Sequence, residues 1–337
     1  DLGSLAYVML FALLICSPVV HFWYLCWIIP LFALRPSLSG LVLFLTTSIY
    51  FFAWDGLEND GAWGYDRAWV VVTWCPFFFV LLWEVRFFFK RISRQSATLM
   101  KSEVKTIDVV VPIYNAADKL PSFLAELKKA SPEVGLVIAV DGGSSDASAD
   151  IARSHGCVVV VSKRGRGAQI ASGIKESSAD LIAIIHADTE PRAGWIPHLI
   201  SVANNHPQSP AFALGQRFKR ASMGLLFVEI LNEARAMFGG SVFGDQTLIV
   251  RREVLENIGG FPTQPLMEDV EVSWRFLERG NITYLGEEWI VSEQKWNGRF
   301  VARFRQVISL MFRYRWARAK SVANAAEFSK RLYGEYY

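Results

Sequence analysis

The chain has 337 residues, 52% of them hydrophobic and 14% aromatic, with a net charge of +3. That length allows one or two domains. Its four cysteines, Cys16, Cys26, Cys75 and Cys157, have neither metal-ligand spacing nor the pattern of a disulfide framework, which excludes a cysteine-stapled fold.

The composition is uneven. Residues 1–90 are almost wholly apolar and aromatic, whereas 105–298 have ordinary globular composition. Three apolar runs, at about 5–34, 38–54 and 68–89, predict membrane-spanning helices within a region 1–95. Pro18 and Pro30 predict a kink or break in the first. The first run is too long for a signal peptide and lacks a basic start. The chain begins at Asp1 and not Met, so an upstream segment is expected to have been cleaved or to be missing. Residues 55–67 are net acidic, while Lys90, Arg91, Arg94, Lys101 and Lys105 follow the third run. The positive-inside rule then predicts an integral membrane protein, with the large domain on the cytoplasmic, stromal or matrix-equivalent side.

From Thr106 the pattern alternates between strand and helix. Residues 107–113 read as a strand, 117–130 as a helix, 136–140 as a strand and 146–155 as a helix. A strand at 158–161, a helix at 166–177 and a strand at 181–185 follow. Strands separated by helices of this length predict a parallel sheet with right-handed crossovers. Continuous Val/Ile runs suit strands buried on both faces.

Chemistry-bearing residues collect at the ends of these elements, where open α/β sheets bind ligands. Pro112, Tyr114 and Asn115 close the first strand, and Asp141 closes the second. A carboxylate there can accept hydrogen bonds from a base or a ribose. Gly142 and Gly143 permit close backbone approach, and Ser144, Ser145 and Asp146 read as a helix cap. Arg166, between glycines at the start of the next helix, suits phosphate. His186-Ala187-Asp188-Thr189 follows the most apolar strand. A divalent ion between Asp188 and a pyrophosphate would neutralise a leaving group, with His186 as a further metal ligand. Asp245 and Gln246, in Phe-Gly-Asp-Gln before a strand at 247–250, can hydrogen-bond the acceptor or donor. Glu268 and Asp269 open a helix at 268–279, and their like charges would raise the apparent pKa of the pair.

Taken together, Val-Val-Pro-Ile-Tyr-Asn, Val-Asp-Gly-Gly-Ser-Ser-Asp, Gly-Arg-Gly-Ala-Gln, His-Ala-Asp-Thr, Phe-Gly-Asp-Gln and Met-Glu-Asp resemble the family 2 glycosyltransferases over 106–298. The His-Ala-Asp form is most similar to a bacterial-type subgroup. The resemblance implies a GT-A domain, here at 105–298, and inverting transfer from a nucleotide-diphosphate sugar with Mn²⁺ or Mg²⁺. It makes Asp141 a base-binding residue, Asp188 a metal ligand and Asp269 the general base, with Glu268 beside it. Gln169 joins the donor-binding residues through the Gly-Arg-Gly-Ala-Gln match. His186 departs from the usual Asp-x-Asp pattern, which bears on metal affinity and choice. The Gln-x-x-Arg-Trp motif of processive members is missing, which disfavours polymer synthesis. Trp296 and Arg299, after the last strand, are candidate acceptor contacts, Trp296 by stacking on a sugar.

Residues 299–326 carry seven basic residues and no acid. With Phe300, Phe304, Ile308, Met311 and Phe312 at helical spacing, the region 299–337 predicts basic amphipathic helices on an anionic membrane surface. An ordinary helix packed on the domain is the alternative. A nucleic-acid partner is not expected. The expected function is sugar transfer to a hydroxyl of a lipid or membrane-associated acceptor. The alternative is a catalytically idle relative serving as a structural subunit of a membrane complex.

Overall fold

The structure, a computed structural model, describes residues 42–43, 45–46, 71, 74–82, 103–220, 222–236, 240–293, 296 and 300–336. The chain divides into two compact units, Asp1–Ile92 and Ser93–Tyr337. In the first, the described residues are helical, and the rings of Trp74, Phe77 and Phe78 pack with centroids 5.1–5.9 Å apart.

The three predicted membrane-spanning helices, and with them the integral-membrane placement, are corrected by this unit. Among the described residues no helix is long and apolar enough to cross a membrane. A crossing needs about 20 apolar residues in one helix. The run at 5–34 lies outside the described residues, and the runs at 38–54 and 68–89 contribute only 42–43, 45–46, 71 and 74–82. A 21-residue helix does occur, Phe300–Lys320, but its basic side chains disqualify it.

The second unit is built on an eight-stranded sheet in the order β3-β2-β1-β4-β7-β6-β8-β5. Its first half runs β1 (Ile107–Ile113), α1 (Leu120–Ala130), β2 (Val137–Asp141), α2 (Ser148–Ser154), β3 (Val158–Val161), α3 (Arg166–Glu176) and β4 (Leu181–Ile184). These four strands are parallel. Then come β5 (Thr189–Glu190), α4 (Trp195–Asn205), β6 (Ala211–Phe218), α5 (Met223–Ala234), β7 (Leu248–Arg251) and α6 (Arg252–Asn257). Helix α7 (Glu268–Leu277), β8 (Thr283–Val291), α8 (Phe300–Lys320) and α9 (Val322–Tyr336) complete the unit. Here the expected all-parallel sheet gives way to a mixed one. Strand β7 is antiparallel to β4 and β6, β5 is antiparallel to β8, and only β6 with β8 is parallel. Between β6 and β7 the chain passes through α5 and then the Phe-Gly-Asp-Gln turn, which leads directly into β7.

The strand alternation explains the two cores. Val109 and Val111 pack on one face with Leu120, Phe123, Leu127 and Trp195. Val110 packs on the other with Ile138, Val140, Ile170, Ile174 and Phe276. Each such buried side chain contributes about 1.5–3 kcal/mol. On the first face Trp195 meets Trp289 edge-to-face at 5.2 Å.

The C-terminal helices fold inward. Tyr314 is fully buried; its hydroxyl donates to Glu271 Oε2 (3.0 Å) and accepts from Gln264 Nε2 (2.8 Å). Arg318 Nε reaches the same Glu271 oxygen at 2.9 Å. From α9, the Ser329 hydroxyl donates to Leu266 O (2.7 Å) and accepts from Leu266 N–H (3.1 Å). Both helices therefore grip the loop that leads into Glu268. Their outer surface bears exposed Phe312 and Trp316 together with Arg303, Arg305, Arg313 and Arg315.

That loop comes close to α3 only because residue 167 is glycine. A Cβ there would lie 2.2 Å from Gln264 O and 2.5 Å from Pro262 O, both backbone atoms. Gly167→Ala is therefore expected to destabilise the protein by about 1–3 kcal/mol, the usual cost of overpacking. Gly334→Ala, with open space around it, is expected to leave stability equal or slightly higher. Urea unfolding of the two variants checks the contrast.

Candidate functional site

A cleft of about 370 Å³ opens at the ends of β1 and β4. Of the residues expected at the donor, it gathers Pro112, Tyr114, Asn115, Arg166, Gln169, His186 and Asp188. It adds Asp118, Lys119, Arg164, Pro265, Leu266 and Tyr333, which sequence reasoning did not select. Arg164 belongs to the basic run that pointed to Arg166, so its signal was present. For Tyr333, far along the chain, there was none.

On the β1 side, the Arg164 guanidinium stacks 4.2 Å over the Tyr114 ring. Asn115 takes a positive φ of 45°, unusual outside glycine but tolerated by Asn. Its backbone N–H donates to Ser144 Oγ (2.9 Å), and its side-chain oxygen accepts from Ser145 N–H (2.9 Å). Ser144 in turn donates its hydroxyl and backbone N–H to the Asp141 carboxylate. Asp141 is buried, does not line the cleft and acts on Asn115 through Ser144. Asp146, expected as a cap, accepts from Ser148 N–H and reaches across to Ala117 N–H, both at 3.0 Å. The Ser148 hydroxyl also donates to it, and that bond first, then the one from Ala117 N–H, holds its carboxyl below the usual range.

Helix α3 begins at Arg166 after Gly165, whose φ is 127°. Gln169 is buried and spends its amide on Ile113 O (2.8 Å) and Val140 O (2.9 Å). It locks the ends of β1 and β2 together. Gly142 lies against that amide, where a Cβ would approach to 3.0 Å.

Arg166 pairs with Glu268, Nε to Oε1, at 2.9 Å. The Glu268 side chain is 1% exposed, and its second oxygen is buried without a hydrogen-bond partner. Burial drives this carboxyl up to about 7, against the opposing pull of Arg166 and with the help of Asp269. A neutral carboxylic acid at this place would still accept from Arg166.

Asp269 faces the other way. Its Oδ2 accepts from Gly244 N–H and its Oδ1 from Val270 N–H, each at 2.7 Å. A Cβ at Gly244 would lie 2.6 Å from His186 Nε2 and 3.5 Å from Asp269 Oδ2. Glycine 244 thus lets the cleft-lining His186 and the carboxylate of Asp269 converge.

The turn Gly244–Gln246 is organised by Arg235, a residue that sequence reasoning missed. Arg235 donates to Ser241 O (2.7 Å) and Gln246 Oε1 (2.8 Å) and stacks 3.4 Å over Phe243. Desolvation lowers its pKa to about 9, with Asp269 and Asp245 opposing, so it stays charged at neutral pH. Gln246, a candidate sugar contact, is fully buried and bonded to Arg235, Phe243 N–H and Asn232 O. Asp245 occupies the same turn. Trp296 packs between Phe218 (6.2 Å) and Phe300 (5.6 Å) and is not among the residues that line the cleft. Arg299 lies outside the described residues.

No group of three His, Cys, Asp or Glu side chains suited to a metal occurs among the described residues. An ion of the Mg²⁺ or Mn²⁺ type commonly takes only one or two protein ligands, the rest of its shell being phosphate oxygens and water. Asp188, with His186 beside it in the cleft, offers that donor set.

The Glycosyl transferase family 2 model matches residues 108–257. An uncharacterized glycosyltransferase of Mycobacterium tuberculosis is 27% identical over 188 residues, covering 51% of this chain and 82% of that protein. The undecaprenyl-phosphate 4-deoxy-4-formamido-L-arabinose transferase of Serratia proteamaculans is 34% identical over 111 residues, 30% of this chain and 34% of that protein. The chain therefore matches only about a third of the latter's length. Among solved structures, the mannosyltransferase PcManGT of Pyrobaculum calidifontis, in complex with GDP-Man and Mn²⁺, superposes with a TM-score of 0.48. It shares 17% identity and covers 67% of this chain and 68% of its own. The residues matched by the family model, 108–257, include the strand ends on which the cleft opens, so this stretch of the chain is similar to glycosyltransferase family 2 domains.

Proposed function

We propose that this domain transfers a sugar, with inversion, from a nucleotide-diphosphate sugar to a hydroxyl of a lipid or lipid-linked acceptor. The observation that carries the reading is the cleft, in which Lys119, Arg164 and Arg166 gather with Asp188 at the strand ends. The positive end of α3 adds to that field. Cations so placed bind a diphosphate and stabilise charge developing on it as the sugar leaves. A divalent ion held by Asp188 and His186 would supply Lewis-acid stabilisation of the same charge.

On the acceptor side, Asp269 is the base. Its two backbone hydrogen bonds fix the carboxylate's orientation while each oxygen keeps a lone pair for the incoming hydroxyl. Asp269 takes that proton as the acceptor oxygen attacks the anomeric carbon from the face opposite the diphosphate. Glu268 does not compete for it, because Arg166 and burial hold it inside. Asp245 and Trp296 stay as candidate acceptor contacts, as does Arg299.

A lipid acceptor is supported by two features. The Serratia relative's name specifies an undecaprenyl-phosphate. The outer surface of α8 presents Phe312 and Trp316 among exposed arginines, a composition suited to anionic headgroups.

Three outcomes are expected. Asp269→Asn lowers nucleotide release from a panel of nucleotide sugars by about 10²–10⁴-fold while UDP or GDP binding persists. Loss of nucleotide binding as well would show that Asp269 is not the base. The second concerns pH. The folded pKa of Glu268 lies above its unfolded value, so the folded state retains a proton that the unfolded chain has released. Between about pH 4.5 and 7 stability should therefore fall as pH rises. Glu268→Gln should flatten that slope in thermal melts across the range, and an unchanged slope would refute the assignment. Third, the protein should co-sediment with phosphatidylglycerol vesicles more than with phosphatidylcholine vesicles. Phe312→Glu combined with Trp316→Glu should remove that preference.

A further inference from the structure

The cleft has one wall that none of the acidic motifs supplies. Tyr333, near the end of α9, lines it together with Tyr114, Arg164, Arg166 and Asp188. Helix α9 is firmly seated. Ala325 and Ser329 are fully buried, and Leu332, one residue before Tyr333, is 1% exposed. The Ser329 hydroxyl bonds both backbone groups of Leu266, itself a lining residue. The position of Tyr333 is thus coupled to the loop that leads into Glu268.

Three cations, Lys119, Arg164 and Arg166, share the cleft with this phenol. A diphosphate carries several acceptor oxygens, each able to take more than one donor. A phenol O–H is a neutral donor that makes a charge-assisted bond to phosphate without adding repulsion among the cations.

We propose that Tyr333 is a donor-binding residue, its hydroxyl donating to the diphosphate of the nucleotide sugar, so that the C-terminal helix completes the donor cleft. The proposal rests on the nucleotide-sugar reading given above. It makes the tail part of substrate recognition as well as of the fold.

Calorimetric titration of the full chain with UDP, GDP, uridine and guanosine in the presence of Mn²⁺ tests it. Tyr333→Phe should weaken diphosphate binding about tenfold, the value of one hydrogen bond to a charged group. Its nucleoside binding and thermal midpoint should match those of the wild type. Tyr333→Ala should lose at least as much. Unchanged diphosphate affinity in Tyr333→Phe overturns the proposal, even if Tyr333→Ala binds weakly, because the hydroxyl would then play no part. Equal loss of diphosphate and nucleoside binding in Tyr333→Phe overturns it too, since that marks a collapsed cleft. If the wild type binds neither diphosphate, the nucleotide-sugar reading itself fails, a result distinct from the other two.

Discussion

The buried ion pair between Arg166 and Glu268 is the constraint on which the site depends. A carboxylate withdrawn from water costs several kcal/mol unless a partner and further hydrogen bonds offset it. Glu268 has the Arg166 guanidinium on one oxygen and no hydrogen-bond partner on the other, and its burial raises its proton affinity. The pair joins the first residue of α3 to the first residue of α7. It therefore fixes the Arg166 side of the cleft relative to the residue next in sequence, Asp269. Such an approach of two helix ends requires the loop before α7 to lie almost against the α3 backbone, which the hydrogen atom at Gly167 permits.

That loop has no regular secondary structure of its own, so its backbone polar groups must find partners elsewhere. They find them in Gln264, which bonds Leu266 O and Met267 O, and in Ser329. Tyr314 and Arg318 close the arrangement through Glu271. Met267, at φ 60°, then turns the chain into α7 so that Glu268 and Asp269 diverge. The Met-Glu-Asp segment is held in place by residues 43 to 63 positions further along the chain. The C-terminal helices are accordingly amphipathic in an unusual sense: one face serves the site, and the other carries exposed aromatics with arginines.

The acidic motifs share a location at the ends of elements but not a role. Asp188 lies in the cleft. Asp141 supports the cleft at second hand, its carboxylate spent on Ser144, which orients Asn115. Asp269 is anchored by Gly244 N–H, and Arg235 in turn shapes the segment from which Gly244 comes. Gln246, chosen as a ligand contact from sequence, is fully buried and bonded to Arg235 and Asn232 O, while Gln169 lines the cleft but spends its amide N–H groups on Ile113 O and Val140 O. Side-chain type and motif position identify a region rich in polar groups; they do not say which of those groups face outward.

Local pattern determined the first half of the sheet and its helices. The run Ile107–Ile113 had to be a strand buried on both faces, and the apolar positions of α1 had to face a core, because those periods are properties of neighbouring residues. Clustering of the site at the strand ends followed from the same elements. The direction and partners of β6, β7 and β8 were not legible, since pairing is decided by which distant segments bury each other's faces and satisfy each other's backbone groups. Apolar composition alone likewise suggested membrane crossings, a property that belongs to an uninterrupted helix and not to a residue count. Only the tertiary structure could bring Tyr333 to the cleft, set Glu268 against Arg166 and turn the tail inward, because each depends on contacts between residues that are remote in sequence.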